Sequence, residues 1–469
     1  MKVCEELCIG TLVSTIKFNF MKIAVIGTGY VGLVTGISLA ILGHKVICVG
    51  RNKDKIQKIN KGIAPFHEPG LDNLMRKVLS KKIFRATDNF KEALFDTEII
   101  IIAVGTPTVK NKIDLSAIKK VSRQIGEELK RNEKYQIVVI KSTVVPTTTE
   151  KVVKTIIEKY SGKKAGDFGL CMSPEFLREG NAVSDATNPD RIVIGQYDER
   201  SGKQLAKVYS KVLCPKIFTN LATAEMTKYA ANALLATLIS YSNEIARICE
   251  GVHGVDVVDV WKGVHLDSRL SPKIDNKIIT PGIVSYILSG CGYGGSCFPK
   301  DTKALAAYAK EIGVKAELIN SVININRTQP AQMVFLLKQA LGDLKNKKIA
   351  VLGLTFKPNT DDLRESPSIL VVKLLLKEGV VVVCHDPIAS FNRTELKNMD
   401  IAFTKTAKEA LKSADGVLIM TAWDEYKKLT PAIFEKQMRN PVVIDGRRIY
   451  NKSSFLNSGI AYKGIGYSG

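Results

Sequence analysis

The run Lys22 to Ile26, Gly27-Thr-Gly29-Tyr30-Val31-Gly32, then Val31 to Leu42 and Lys45 to Val49 constrains this chain more than any other stretch. A short apolar run predicts a strand. A glycine turn follows it, then an amphipathic helix, a stop at Gly43 and a second strand. A GxGxxG pattern alone says little. Between a strand and a helix it predicts a dinucleotide site, with the pyrophosphate on the helix N-terminus. Tyr30 and Val31 then belong to the same cradle.

The end of the second strand departs from that pattern. An acidic residue there normally binds the adenine ribose hydroxyls, and this chain has Gly50-Arg51-Asn52. A missing carboxylate beside an arginine is the pattern expected for a 2′-phosphate, hence NADP. Asp54 lies beyond the strand end, and Lys55 is placed to contact the region.

Alternation of strands and helices continues. Glu98 to Val104 reads as a buried strand ending in Gly105-Thr106-Pro107, and Ile137 to Ile140 as another ending in Lys141-Ser142-Thr143. Small polar residues at such strand ends face the cofactor cleft. Phe168 to Met172 and Arg191 to Ile194 complete this sheet. Between them lies Ser173-Pro-Glu175-Phe-Leu-Arg178-Glu179, which puts two carboxylates just past a strand end, where a base or water-holding acid is useful. As the bland alternative, both are surface carboxylates.

Asn220 to His253 predicts one long helix. Glu225, Lys228 and Asn232 are spaced 3 and 4 and share a face among alanines and leucines. A buried lysine and asparagine need partners. Substrate or oxyanion contacts would supply them; solvent-exposed salt bridging is the alternative. Leu318 to Leu341 reads as helical with a kink or break at Pro330. A second α/β unit opens at Lys347. In place of a glycine-rich pyrophosphate loop it has Phe356-Lys357-Pro-Asn-Thr-Asp-Asp-Leu-Arg364-Glu-Ser-Pro367, which suits a phosphate of a substrate.

The segment Cys291-Gly-Tyr-Gly-Gly-Ser-Cys297-Phe-Pro-Lys300-Asp301 is a glycine-rich loop running into a helix over Lys300 to Ile312, with Gly313 as its stop. The helix dipole and Lys300 should both favour a Cys297 thiolate, and Asp301 should return over the same face. A buried structural cysteine is the alternative.

Composition bounds the rest. A chain of 469 residues holds two or three domains. The nine cysteines form no CxxC pair, which argues against a disulfide framework or zinc site and for a reducing cytoplasm. No apolar run reaches membrane-spanning length. The net charge of +22 is spread over the chain without a dense patch or interleaved aromatics, so no nucleic-acid partner is expected. Residues 1–20 read as an appended extension that need not be native, with Met21 opening the first element.

Taken together, GTGYVG, VGTP, KSTV, PEFLREG, TKYAAN, GVHLDSR, GYGGSCFPKD and FKPNTDDLRESP, in this order, resemble the UDP-glucose/GDP-mannose dehydrogenase family, and GGSCFPKD points to its UDP-glucose members. The resemblance spans about Met21 to Arg448. It implies two Rossmann-like doubly wound parallel-sheet α/β domains joined by a long central helix. The divisions expected are a cofactor domain over 21–215, a central helical dimerisation region with the cysteine loop over 216–330, and a UDP-sugar domain over 331–469. A homodimer or larger homo-oligomer is implied.

The reaction implied is four-electron oxidation of UDP-glucose to UDP-glucuronate with two NAD reduced, through a Cys297 thiohemiacetal and thioester. By the same resemblance Glu175 serves thioester hydrolysis, Lys228 and Asn232 stabilise developing oxygen charge, and Asp301 and Thr143 position a water. Arg269 reaches the sugar site of a neighbouring subunit. Lys300, Glu179, Arg364, Thr106, Thr143 and Lys55 fall on the cofactor side. Phe176, Leu177, Arg178, Tyr286, Gly294 and Lys357 fall with Glu175 and Glu179 on the substrate side. NAD is favoured because the other motifs match a family that uses it; Gly50 keeps NADP open.

Two further departures stand out. The usual proline of the KSTV loop is displaced and its glycine is Thr147, so a shift near Thr143 is expected. Cys291 replaces a proline. Dehydrogenation of another UDP-hexose, or nucleotide-sugar binding without catalysis, are the competing readings.

Overall fold

The computed structural model describes residues 20–389 and 393–467; the expected extension over 1–20 lies outside them but for Phe20. The first sheet contains β1 (Lys22–Ile26), β2 (Lys45–Val49), β3 (Phe84–Thr87), β4 (Ile99–Ile102), β5 (Ile137–Ile140), β6 (Gly169–Met172), β7 (Ile192–Gln196) and β8 (Lys216–Thr219). They lie in the order β8-β7-β6-β5-β4-β1-β2-β3. The central strands are Ile- and Val-rich and buried on both faces, as a parallel sheet covered by helices requires.

β1 to β6 run parallel. β7 pairs antiparallel with β6, and β8 follows β7 in parallel. A wholly parallel sheet was expected. The chain leaving β6 builds the loop and short helix Ala182–Thr187, then turns back without a crossover, so the next strand reverses.

The second sheet contains β9 (Lys348–Leu352), β10 (Val381–His385), β11 (Ile401–Phe403), β12 (Gly416–Ile419), β13 (Val442–Asp445) and β14 (Ala461–Gly464), in the order β11-β10-β9-β12-β13-β14. Every pairing in it is parallel.

Between the sheets runs a 30-residue helix, Leu221–Glu250, started by the Asn220 side chain accepting the Thr223 amide at 2.8 Å. A second long helix, Glu317–Leu341, packs beside it. The break expected at Pro330 does not occur: the helix is continuous through it. A proline inside a helix costs about 3 kcal/mol. Continuing the helix buries Met333, Val334, Leu336 and Leu337 in the core of the second domain, which offsets that cost. Among the described residues no helix is long and apolar enough to cross a membrane, and no His, Cys, Asp and Glu cluster could hold a metal ion.

Candidate active site

The glycine turn after β1 has three separate geometric reasons. Gly27 has φ +130°, and a Cβ there would lie 2.3 Å from the Ala103 carbonyl oxygen. A Cβ on Gly32 would lie 2.2 Å from the Gly27 carbonyl oxygen, so this glycine lets the helix Tyr30–Ile41 close onto the turn. Gly29 faces open space, leaving room for a pyrophosphate at the helix start. The turn therefore fits a dinucleotide.

At the ribose end, a Cβ on Gly50 would lie 2.6 Å from Thr28 Oγ1 and 2.8 Å from its methyl. Thr28 of the glycine turn thus occupies the space a carboxylate stem would need. Lys55 lies on the helix Lys53–Asn60 with its amide capped by the Asn52 side chain; its own side chain is exposed.

Beyond the strand ends, Thr106 Oγ1 donates to the Thr143 carbonyl at 2.8 Å and Ser142 Oγ to the Val104 carbonyl at 2.7 Å. These bonds join the loops after β4 and β5. Thr147 takes φ +71°, the left-handed conformation a glycine would adopt.

Tyr30 points its hydroxyl at Glu68, whose buried carboxylate also accepts the amides of Gly180 and Ala182, each at 2.7 Å. Glu68 ties the glycine-turn helix to the loop carrying Glu175 and Glu179. The sequence reading did not single it out. The Glu68-Pro-Gly turn was the available signal.

A cavity of about 610 Å³ lies where the first sheet, the central helix and the second domain meet. Glu175, Lys228, Asn232 and Cys297 line it, as do Phe176, Leu177, Arg178 and Glu179. Tyr286, Gly294 and Lys357 line it too, whereas Asp301, Thr143 and Arg269 of the expected set are not among its lining residues. Lys141 and Arg447 also line it and were not expected there. Arg447 is held by a bond from Nε to the Met420 carbonyl at 2.7 Å, and it was hidden because only the fold brings the end of β13 to this place.

Helical spacing carries the centre of the site. Lys228 Nζ lies 3.0 Å from Glu175, both side chains about 95% buried. One turn on, Asn232 donates to Asp301 at 2.6 Å. Asp301 pairs with Lys300 through its other oxygen. Burial alone would lower the Lys228 pKa, but Glu175, Cys297 and Asp301 carry it above its ordinary value. Of the two readings of the Glu225, Lys228 and Asn232 face, the buried one is correct.

Cys297 stands at the N-terminus of the helix Phe298–Glu311. Its expected thiolate is not favoured in this form. Burial, Glu175 and Asp301 push the thiol up to about 11 against the opposing pull of Lys228. Lys300 pairs with Asp301, and Lys228 is the cation that pulls the thiol down. Ser296 Oγ sits 3.6 Å from the sulfur and donates to Glu179 at 3.0 Å. Burial and the neighbouring Asp362 raise Glu179 to about 7, despite Arg364 at 3.6 Å.

Two glycines let the second domain close over the thiol loop. A Cβ on Gly294 would lie 2.5 Å from the Glu365 carbonyl oxygen, and one on Gly295 2.8 Å from the Phe356 ring. The Gly295 amide donates to the Arg364 carbonyl at 2.9 Å. Burial lowers the pKa of Lys357 in the cavity wall. Arg364 itself is clamped on Asp362. Arg269 is not brought to the cavity of its own chain: its side chain is 88% exposed and paired with Asp267.

A glycine turn fitted to a dinucleotide, beside a cavity holding a thiol between lysine and carboxylates, defines a nicotinamide-dependent oxidoreductase. The chain belongs to the UDP-glucose/GDP-mannose dehydrogenase family: the family's NAD-binding domain matches residues 21–213, its central domain 222–328 and its UDP-binding domain 350–452. The cofactor is NAD. The UDP-glucose 6-dehydrogenase AglM of Haloferax volcanii is 40% identical over 93% of this chain and 99% of its own. A UDP-glucose dehydrogenase structure from Pyrobaculum islandicum superposes with a TM-score of 0.87 at 35% identity, covering 96% of this chain and 99% of its own. A UDP-D-ManNAc dehydrogenase structure from Pyrococcus horikoshii gives 0.83 at 31% identity, covering 96% and 100%.

Proposed function

We propose that this chain oxidises UDP-glucose to UDP-glucuronate with reduction of two NAD per sugar. The observation that carries this reading is Cys297 at a cavity wall with Lys228, Glu175 and the Asn232–Asp301 pair around it. A four-electron oxidation that releases no aldehyde needs a covalent tether, and the thiol is placed to supply it. Bound NAD supplies the hydride acceptor for both oxidations.

The residues divide the remaining work. In the first oxidation the sugar C6 carbon gives up a hydride and its hydroxyl a proton, which leaves an aldehyde. Cys297 sulfur then adds to the aldehyde carbon while the thiol proton passes to the carbonyl oxygen. In this reading Lys228 and Asn232 stabilise negative charge on that oxygen. Loss of a second hydride and a proton leaves a thioester. Water, held by Asp301 and Thr143 and activated at Glu175, attacks the acyl carbon. The C–S bond breaks, the acid is released and the thiol recovers its proton. A thiol at about 11 is neutral when free, so its proton leaves as the sulfur attacks.

Phe176, Leu177, Arg178, Tyr286, Gly294 and Lys357 line the cavity and form the substrate side in this reading, with Arg269 completing the sugar site of a neighbouring subunit. Glu179, Lys300, Arg364, Lys55 and Thr106 form the cofactor side. In this reading the cofactor domain spans 21–215, the central region 216–330 and the UDP-sugar domain 331–469, although the strand Lys216–Thr219 belongs to the first sheet and the helix Glu317–Leu341 runs across the second boundary. A homodimer or larger assembly in the cytoplasm belongs to the same reading. The test is an assay with UDP-glucose and NAD. Two NADH per UDP-glucuronate are expected; binding of UDP-glucose without NAD reduction, or faster turnover of a UDP-N-acetylhexosamine, overturns it.

A further inference from the structure

Lys228 and Asn232 enter the chemistry above, but Glu225, one turn before them on the same helix face, does not. Glu225 is 0% exposed, and its carboxylate accepts the Thr149 amide at 2.7 Å. The segment it holds combines two costly local features. Thr147 is a β-branched residue at φ +71°, where only glycine is at ease. The chain then enters a π-helical turn, Thr149–Lys154. π-turns are rare, appear mostly as single turns and are frequent at functional sites. Burial raises Glu225 to about 7 against the bond from the Thr149 amide.

This segment is the far end of the loop that begins Lys141-Ser142-Thr143. The near end is pinned to the first sheet by Thr106 and Ser142, and Lys141 Nζ reaches the Ser173 carbonyl at 3.2 Å, just before Glu175. The geometry points to Glu225 as a positioning residue of the dehydrogenase reaction: by holding the far end of this loop it fixes the near end, where Lys141 reaches the cavity wall before Glu175 and where Thr143 lies. This inference rests on the reaction proposed above, in which Thr143 positions water.

The test compares Glu225→Gln, Glu225→Leu, Thr147→Gly and the Glu225→Leu/Thr147→Gly double variant. Glutamine keeps a carbonyl acceptor, so its kcat should stay within about twofold of the parent. Leucine leaves the Thr149 amide without its acceptor. It should lower kcat about tenfold or more, as expected of a displaced catalytic loop, with KM for UDP-glucose little changed. Glycine takes φ +71° without penalty. It should restore most of the lost kcat in the leucine background and raise the Tm more there than in the parent.

The proposal is overturned by Glu225→Leu at parental kcat, or by a double variant as slow as Glu225→Leu. Should the leucine variant not fold, Glu225→Ala, with room for water at the amide, takes its place. Failure of Thr147→Gly to raise the folded yield of either also overturns the proposal. Tm is read without substrate, so an inactive parent would refute the proposed reaction while the coupling at the turn stays measurable.

Discussion

Replacing Gly294 by alanine tests whether the second domain sets the position of the thiol. The added methyl would meet the Glu365 carbonyl oxygen at 2.5 Å, Phe356 Cβ at 2.9 Å and Pro367 Cδ at 3.0 Å. None of these is the free end of a flexible side chain. The first is backbone, the second is next to it, and the third is a ring at the start of the helix Pro367–Lys377. The thiol loop must therefore back away, stretching the Gly295 to Arg364 bond. Overpacking costs about 1–3 kcal/mol and a weakened hydrogen bond about 1 kcal/mol. The expected loss of stability is thus about 2–4 kcal/mol.

Cys297 lies three residues along the same loop. A displacement near 1 Å at a reacting group costs about 10²-fold in rate. The assay is kcat/KM for UDP-glucose together with thermal unfolding. Gly263→Ala serves as control, because that glycine sits in the helix Val257–His265 and a Cβ there would meet nothing within 4 Å. The control should be neutral or stabilised by up to about 1 kcal/mol. A Gly294→Ala enzyme with kcat/KM within twofold of the parent would refute the argument that interdomain contact places the thiol.

Cys297→Ser should abolish net production of UDP-glucuronate; retention of two NADH per sugar at the parental rate would remove the thioester route. Gly50→Asp should raise the NAD to NADP ratio of kcat/KM while lowering the Tm, because its Cβ meets Thr28 at 2.6 Å; an unchanged ratio would take position 50 out of cofactor choice. Glu179 supplies a pH dependence. Its folded pKa, about 7, lies above the ordinary carboxylate value of 4.5, so its contribution to stability is present below about 4.5 and is lost as pH rises to about 7. In the unliganded protein, Glu179→Gln should flatten the fall in stability over that window, which denaturant unfolding at several pH values would measure; equal slopes in parent and variant would contradict the assignment.

The sequence by itself determined the features whose cause is local. The glycine turn after β1, the helix start at Pro299, the long central helix and the shared face of Glu225, Lys228 and Asn232 all follow from backbone freedom and helical spacing. The motif set identified the family because the residues stand in order along the chain.

What tertiary structure decided is where separate segments meet. Lys300 lies beside Cys297 in sequence, yet it pairs with Asp301, and Lys228 from the central helix is the cation that pulls the thiol down. The thiol is thus held protonated by burial, by Asp301 one helical turn on, and by Glu175, which no local pattern announces. Pro330 stays inside its helix because the core beyond it repays continuity. β7 reverses because the loop after β6 returns without a crossover. Thr147 keeps a left-handed turn beside a buried carboxylate 76 residues after Thr149. Burial, a hydrogen bond between distant segments or the path of a connection decides these cases, and local sequence carries no measure of any of them.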